Sequence, residues 1–155
     1  MNLIKLKLEM EKILIAGSTG QTGKRVIEIL NNTENFKPIA MIRKEEQKQI
    51  FDDMDVESVV ADLEGEIDHA FKGIDRVIFA AGSGGSTGPE KTTAVDQEGA
   101  KKMVDAAKKH NVKKFIMLSA MGTDKPEEGG DLEHYLRAKK EADDYLVDSG
   151  IVFTI

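Results

Sequence analysis

Cysteine is absent from the 155 residues, which excludes disulfides, thiolate catalysis and thiolate metal sites. Histidine is scarce: His69, His110 and His134 are scattered without metal-ligand spacing, so no metal site is expected. No apolar run approaches the roughly 20 residues that a membrane span needs. The opening MNLIKLKLEM interleaves Lys and Glu with apolar residues, unlike the unbroken core of a signal peptide. Nor is there an excess of positive charge. Lys plus Arg is 22 against 28 Asp plus Glu, a net charge of −6. That balance speaks against nucleic-acid partners and suits a soluble, cytoplasmic protein with no membrane partner. Met10 directly precedes EKILIAG, so residues 1–10 read as an N-terminal extension, either an upstream start or a short extra strand. Residues 11–155 form one expected domain, with no internal repeat and no linker, small for an enzyme with a separate substrate lobe.

What the chain does have is a glycine-punctuated junction, KILIAGSTGQTG at Lys12–Gly23. The apolar run Ile13–Ala16 has strand length, and from Gln21 onward Val26, Ile27 and Leu30 recur at helical spacing. Between them stand Gly17, Ser18, Thr19, Gly20, Gln21, Thr22 and Gly23. A strand, glycine turn and helix in this order form an anion site. The first glycine allows a tight turn, the second a close approach of phosphates, and the third close packing of helix on strand. Free amides and the helix dipole attract the charge. The spacing is GxxGxxG rather than GxGxxG; its position at a strand-to-helix junction carries the reading toward a dinucleotide pyrophosphate. A glycine-rich turn that binds nothing is the bland alternative.

The remaining chain alternates. Strands are predicted at Lys37–Arg43, Val56–Asp62, Asp75–Gly82, Lys113–Ser119 and Ile151–Ile155. Pro38 falls near the start of the first of these, where proline is tolerated. Asp75–Gly82 is almost wholly apolar, as for a strand buried on both faces. Helices are predicted at Glu45–Phe51, Glu66–Lys72 (closed by Gly73), Ala94–Lys109 (Val95, Met103, Val104 and Ala107 inward, His110–Asn111 ending it) and Leu132–Ser149 (stopped by Gly150). Ser83–Pro89 and Met121–Gly130 read as loops. Alternation implies an α/β protein with a doubly wound parallel sheet, Rossmann-like, in strand order 3-2-1-4-5-6. Ligands then bind beyond the carboxyl ends of the strands, with Gly17–Gly23 opposite Ala80–Gly85 and Ser119 one strand further along.

An NAD site usually carries an acid at the end of the second strand. Here Arg43 stands there, followed by Lys44. A guanidinium suits the 2′-phosphate of NADP bidentately, with Ser18 and Thr19 as further donors, so NADP is preferred over NAD. The alternative is a solvated strand-end charge neutralised by Glu45 or Glu46. Asp62 ends the third strand, either accepting from an adenine amino group or lying exposed as a strand-end acid.

Tyr135 and Lys139 are four apart on a predicted helix and share a face that continues through Ala142 to Leu146. Lys139 either snorkels to water or serves Tyr135. A tyrosine ionises at a pKa of about 10, and an ammonium beside it would stabilise its phenolate. Ser119 at the end of strand five would hydrogen-bond a substrate carbonyl while Tyr135 donates a proton.

GSTGQTG, FAAG, AVDQEGAKKMVDAAKK, FIMLSAMGTD and HYLRAKKEAD together resemble atypical short-chain dehydrogenases/reductases over Glu11–Ile155. The nearest resemblance is to the NAD(P)H-binding epimerase/dehydratase group, related to NmrA-like and flavin/biliverdin reductase proteins. The resemblance implies the glycine turn at the pyrophosphate and Arg43 at the 2′-phosphate. It implies Asp62 and Leu63 at the adenine, and Ala80, Ala81 and Gly82 at the cofactor ribose. Ser119, Tyr135 and Lys139 match the family's serine and YxxxK motif, and Asp96 falls where relatives carry an active-site asparagine. Family members usually continue past the sixth strand with an Arg-Pro-Gly turn and a substrate-binding tail, which this sequence does not contain. Three expectations follow: an NADP-dependent oxidoreductase or epimerase-like enzyme on a small-molecule substrate, a non-catalytic NADP(H)-binding module, or a non-functional fragment. IVFTI as a sheet edge is expected to pair with a second copy, giving a homo-oligomer, or to be followed by further chain.

Overall fold

The computed structural model describes residues 9–155; all but the last two residues of the expected extension over 1–10 lie outside them. The chain runs β1 (Glu11–Ala16), α1 (Gln21–Asn31), β2 (Phe36–Ile42), a 3₁₀ turn into α2 (Lys48–Asp52), and β3 (Glu57–Val60). A 3₁₀ turn at Asp68–Phe71 leads to β4 (Arg76–Phe79), then α3 (Pro89–Thr92), a π-helical stretch Thr93–Gly99 and α4 (Ala100–Lys109). β5 (Lys114–Met117), α5 (Glu133–Asp148) and β6 (Phe153–Thr154) complete it. All pairings are parallel, in the order β3-β2-β1-β4-β5-β6. This is the doubly wound Rossmann-like sheet expected from the alternation.

The period-two geometry of a strand explains why β1 is apolar at every position from Ile13. Ile13 and Ile15 face a cluster with Ile27 of α1, Phe51 of α2, Ala40, Ile42 and Val56. Leu14 and Ala16 face the opposite cluster with Val77, Phe79, Phe115, Met103 and Val104 of α4, and Ala142 and Leu146 of α5. Each fully buried side chain of this size contributes about 1.5–3 kcal/mol, so the two layers hold β1 in the middle.

Element ends differ from expectation in places. β4 and β5 are shorter than predicted, and β4 is not buried on both faces: Val77 and Phe79 are covered while Ile78 is half-buried. The helices α1 and α2 pack over the β1–β2 half of that face and only Ile78 reaches their cluster. The helical segment predicted from Ala94 starts at Pro89, inside the expected loop, because proline suits the first helical position. Pro38 is the third residue of β2, and its neighbour β3 joins only from Ile39, so the missing amide precedes that ladder. β6 comprises only Phe153 and Thr154, both exposed.

Candidate functional site

The carboxyl ends of β1 and β4 diverge around a cavity of about 830 Å³. Gly17 follows β1 with φ +81, and a Cβ there would lie 2.5 Å from the backbone of Ala80 and Ala81. Only glycine lets the turn pass this close to the end of β4. A Cβ on Gly23 would lie 2.1 Å from the Gly17 carbonyl oxygen, so the third glycine seats α1 on its own turn. Lys24 is the first amide of that turn of helix to reach a carbonyl, that of Gly20 at 2.9 Å. The amides at the very start of α1 have no carbonyl a turn behind them, as at any helix N-terminus.

Gly17, Ser18, Thr19, Gly20, Arg43, Asp62, Leu63, Ala80, Ala81, Gly82, Asp96, Ser119, Tyr135 and Lys139 line the cavity together. Gln21, Thr22 and Gly23 are outside its wall, at the helix start. Ser18 does not match its expected use as a side-chain donor. It is buried, and its hydroxyl donates to the Met41 carbonyl at 2.6 Å, which ties the glycine turn to β2 and leaves no hydroxyl proton for a phosphate. Arg43 is exposed at the end of β2. Among the described residues it forms no ion pair with Glu45, Glu46 or any other carboxylate; its backbone amide is held by Gln47 Oε1 at 2.8 Å. Asp62 Oδ1 accepts from the Glu64 amide at 3.0 Å. That turn is fixed to the helices by Lys102, whose Nζ donates to the carbonyls of Leu63 at 2.7 Å and Gly65 at 2.8 Å, and by the Lys91–Glu64 ion pair.

The inner wall carries buried charge. The π-helical stretch carries adjacent Val95 and Asp96 inward together. Asp96 is 1% exposed; its Oδ2 accepts from the Ser83 amide at 2.9 Å, and its Oδ1, beside Gly82, has no partner among the described residues. Lys139 does not snorkel. It is 2% exposed, donates to the Leu118 carbonyl at 2.8 Å and lies 5.7 Å from the centre of the Phe79 ring. Burial pushes its ammonium pKa down, against the opposing pull of Asp96 and Asp143. Tyr135 is half-buried, and its hydroxyl has no hydrogen-bond partner among the described residues. Its pKa is shifted up, first by burial and then by Asp96 and Asp143. The expected lowering by Lys139 is therefore not the resting state of this site.

Asp143 was not legible as a site residue. It falls four residues beyond Lys139 and eight beyond Tyr135, on the same helix face, and that spacing was the available signal. Buried behind the wall, it accepts the hydroxyl proton of Ser119. Desolvation raises its carboxyl pKa, opposed by the Ser119 bond and by Lys139.

A parallel sheet wound in this order, with a glycine turn at the switch between β1 and β4, defines a nucleotide-binding α/β protein. The chain belongs to the NAD(P)H-binding family, whose model matches residues 17–155. It is 43% identical over 148 residues to a Bacillus subtilis protein named an uncharacterised sugar epimerase, covering 93% of this chain and 69% of that one. Its fold superposes with a TM-score of 0.90 on a Bacillus halodurans protein given the provisional name NAD-dependent epimerase/dehydratase. The two are 41% identical, over 94% of this chain and 68% of the other. An oxidoreductase of Lactococcus lactis follows at TM-score 0.77 and 33% identity, over 93% of this chain and 67% of that one. The chain thus spans about two thirds of the length of each. Among the described residues, no helix is long and apolar enough to cross a membrane.

Proposed function

We propose that the chain binds NADP(H) in preference to NAD(H) and serves as an oxidoreductase or epimerase-like enzyme on a small carbonyl substrate. The single observation that carries this reading is one continuous cavity lined by Arg43, which has no ion-pair partner among the described residues, and also by Tyr135 and Lys139. The residues fit a dinucleotide: a turn only glycine can make, helix-start amides for a pyrophosphate, and a guanidinium at the place of a 2′-phosphate. Asp62 and Leu63 would border the adenine, and Ala80 to Gly82 the cofactor ribose. The orphaned Asp96 Oδ1 is an acceptor awaiting a donor from a bound molecule. A bound nicotinamide would supply or receive hydride there. The chain's own task is then to exclude water and move a proton through the Tyr135 hydroxyl. With its pKa held up Tyr135 stays protonated at rest, a weaker acid than a free tyrosine but able to donate a hydrogen bond to a substrate oxygen.

A thermal-shift comparison of NADPH, NADP, NADH and NAD tests the reading. NADPH and NADP should stabilise the protein most, and indifference to all four at millimolar levels would overturn it. A second reading has one specific observation behind it: at rest Ser119 gives its proton to Asp143 rather than to the cavity. That hydrogen bond, in which the Ser119 hydroxyl stays protonated and donates to the Asp143 carboxyl oxygen, favours a non-catalytic NADP(H)-binding module. Tight NADPH binding without NADPH oxidation across a carbonyl, quinone and flavin panel would decide for it.

A further inference from the structure

Behind the cavity wall lies a pair that the dinucleotide reading leaves unused. Ser119 lines the cavity just past β5, while Asp143 on α5 does not line it. Asp143 is 8% exposed; one carboxyl oxygen accepts from Ser119 Oγ, and the other, Oδ1, has no partner among the described residues. Lys139, one helical turn earlier, is committed to the Leu118 carbonyl beside Ser119 and makes no ion pair with either buried aspartate among the described residues. A hydroxyl has one proton and two lone pairs. With its proton given to a carboxylate, Ser119 presents only lone pairs to whatever enters the cavity.

We infer that Asp143 is a positioning residue that sets the hydrogen-bond polarity of Ser119. An ionised Asp143 holds Ser119 as an acceptor toward the cavity. An Asp143 that has taken a proton from solvent donates it to Ser119 Oγ, and the serine's own proton turns to the cavity as a donor. The consequence for substrate rests on the oxidoreductase reading above. The acceptor form suits the hydroxyl of an alcohol and the donor form the oxygen of a ketone or quinone, so the two directions of reaction favour opposite protonation states of one buried carboxyl. The groups that face it are Tyr135, Lys139, Lys140 and Asp144 from α5 and Ser119 from the end of β5, while Asp96 of the π-helical stretch acts on Tyr135 and Lys139 beside it. Burial favours its neutral form, while the Ser119 bond and the two lysines favour the ionised form.

The test uses the full chain and needs no cofactor in its first arm. The Asp143 carboxyl carbon is followed by NMR from about pH 3 to about pH 9 in the wild type, Ser119→Ala and Ser119→Thr. Removing the hydroxyl should raise the Asp143 midpoint by about one pH unit, and threonine should restore it. A midpoint unmoved by Ser119→Ala overturns the coupling. In the second arm NADPH reduces phenanthrenequinone as the probe carbonyl. Wild-type kcat/KM should fall about tenfold as pH rises through that midpoint. Asp143→Asn, whose amide donates to Ser119 at every pH, should flatten the step. A step kept in Asp143→Asn overturns the role in the site. If NADPH binds and no quinone is reduced, the oxidoreductase reading fails, and the carboxyl titration still decides the coupling by itself.

Discussion

The two rims of the sheet carry similar charges and use them in opposite ways. At the amino-terminal rim Glu11 accepts from Arg76 Nε at 2.5 Å and from Lys113 at 3.0 Å. Asp75 accepts from Lys113 at 2.9 Å and from the Lys12 amide at 2.9 Å. Both carboxyls are held below their ordinary pKa, Glu11 chiefly by Arg76 and Asp75 chiefly by Lys113, and both partners are open to solvent. At the carboxyl rim Asp96 and Asp143 each keep one oxygen without a partner among the described residues, and the pKa of Asp143 is pushed up, that of Lys139 down and that of Tyr135 up. One rim is a satisfied surface network that registers β1, β4 and β5. The other stores unmet polar demand around a cavity. Buried polar oxygens without partners and shifted ionisation around one cavity are what the proposed ligand site would account for.

Breaking the carboxyl rim should therefore cost function, and the largest effect is expected at Tyr135. Tyr135→Phe removes a hydroxyl that bonds nothing in the described structure, so folding should survive. NADPH-dependent reduction of a quinone or carbonyl probe should drop by about 10²–10⁴-fold, the usual range for a lost general acid. NADPH affinity by calorimetry should stay within about twofold of wild type, since 1.4 kcal/mol would already be tenfold. Next comes Gly17→Ala. A residue at φ +81 costs about 1–2 kcal/mol in strain, and the Cβ would meet the Ala80 and Ala81 backbone at 2.5 Å. Urea unfolding should show a loss of about 2–3 kcal/mol, accompanied by loss of the NADPH-induced thermal shift.

How much of this contrast could be read from the residues alone depends on how local each feature is. The sheet order was legible because strand and helix alternate and the β1 run is apolar at every position, which only a strand covered on both sides tolerates. Gly17 and Gly23 were legible from their place between a strand and a helix. Ser18 was misread: its proton goes to Met41, 23 residues away, and no spacing within the glycine turn reports a partner on β2. The start of the helix at Pro89 was hidden by the glycine-rich SGGSTGP, although proline at a first helical position was a signal. Tyr135 was read with the wrong sign because the spacing shows the lysine one turn away but not the burial that chiefly raises its pKa, nor Asp96, which folding brings in from another element. Asp143 was missed for the same reason, since its partner Ser119 lies on another element.

A smaller effect should sharpen the comparison at the cavity mouth. Arg43 is exposed and has no ion-pair partner among the described residues, so Arg43→Ala should leave the fold intact and act on one ligand group only. A charge-assisted contact with a 2′-phosphate predicts about a tenfold loss in NADPH affinity with NADH affinity unchanged. Equal losses for both nucleotides would place the 2′-phosphate elsewhere.

The smallest effect compares the rims by pH, and the signs are opposite. Asp143 has a folded pKa above its unfolded one, so its contribution to stability is complete at low pH and is lost as pH rises through the folded value. Glu11 and Asp75 have folded values below their unfolded ones, so their contributions are present at neutral pH and are lost as pH falls through the folded values. Urea unfolding at stepped pH should therefore show Asp143 relaxing as pH falls through its raised folded value, followed at lower pH by decline as the amino-terminal rim takes up protons. Asp143→Asn should remove the first change and leave the second. Glu11→Gln should do the reverse, and weakly, because solvent-exposed pairs contribute little and salt near 1 M, with a Debye length of about 3 Å, screens them further. If both variants flattened the same part of the curve, the two rims would be one electrostatic unit coupled through the sheet, and the division into a structural end and a ligand end would fall.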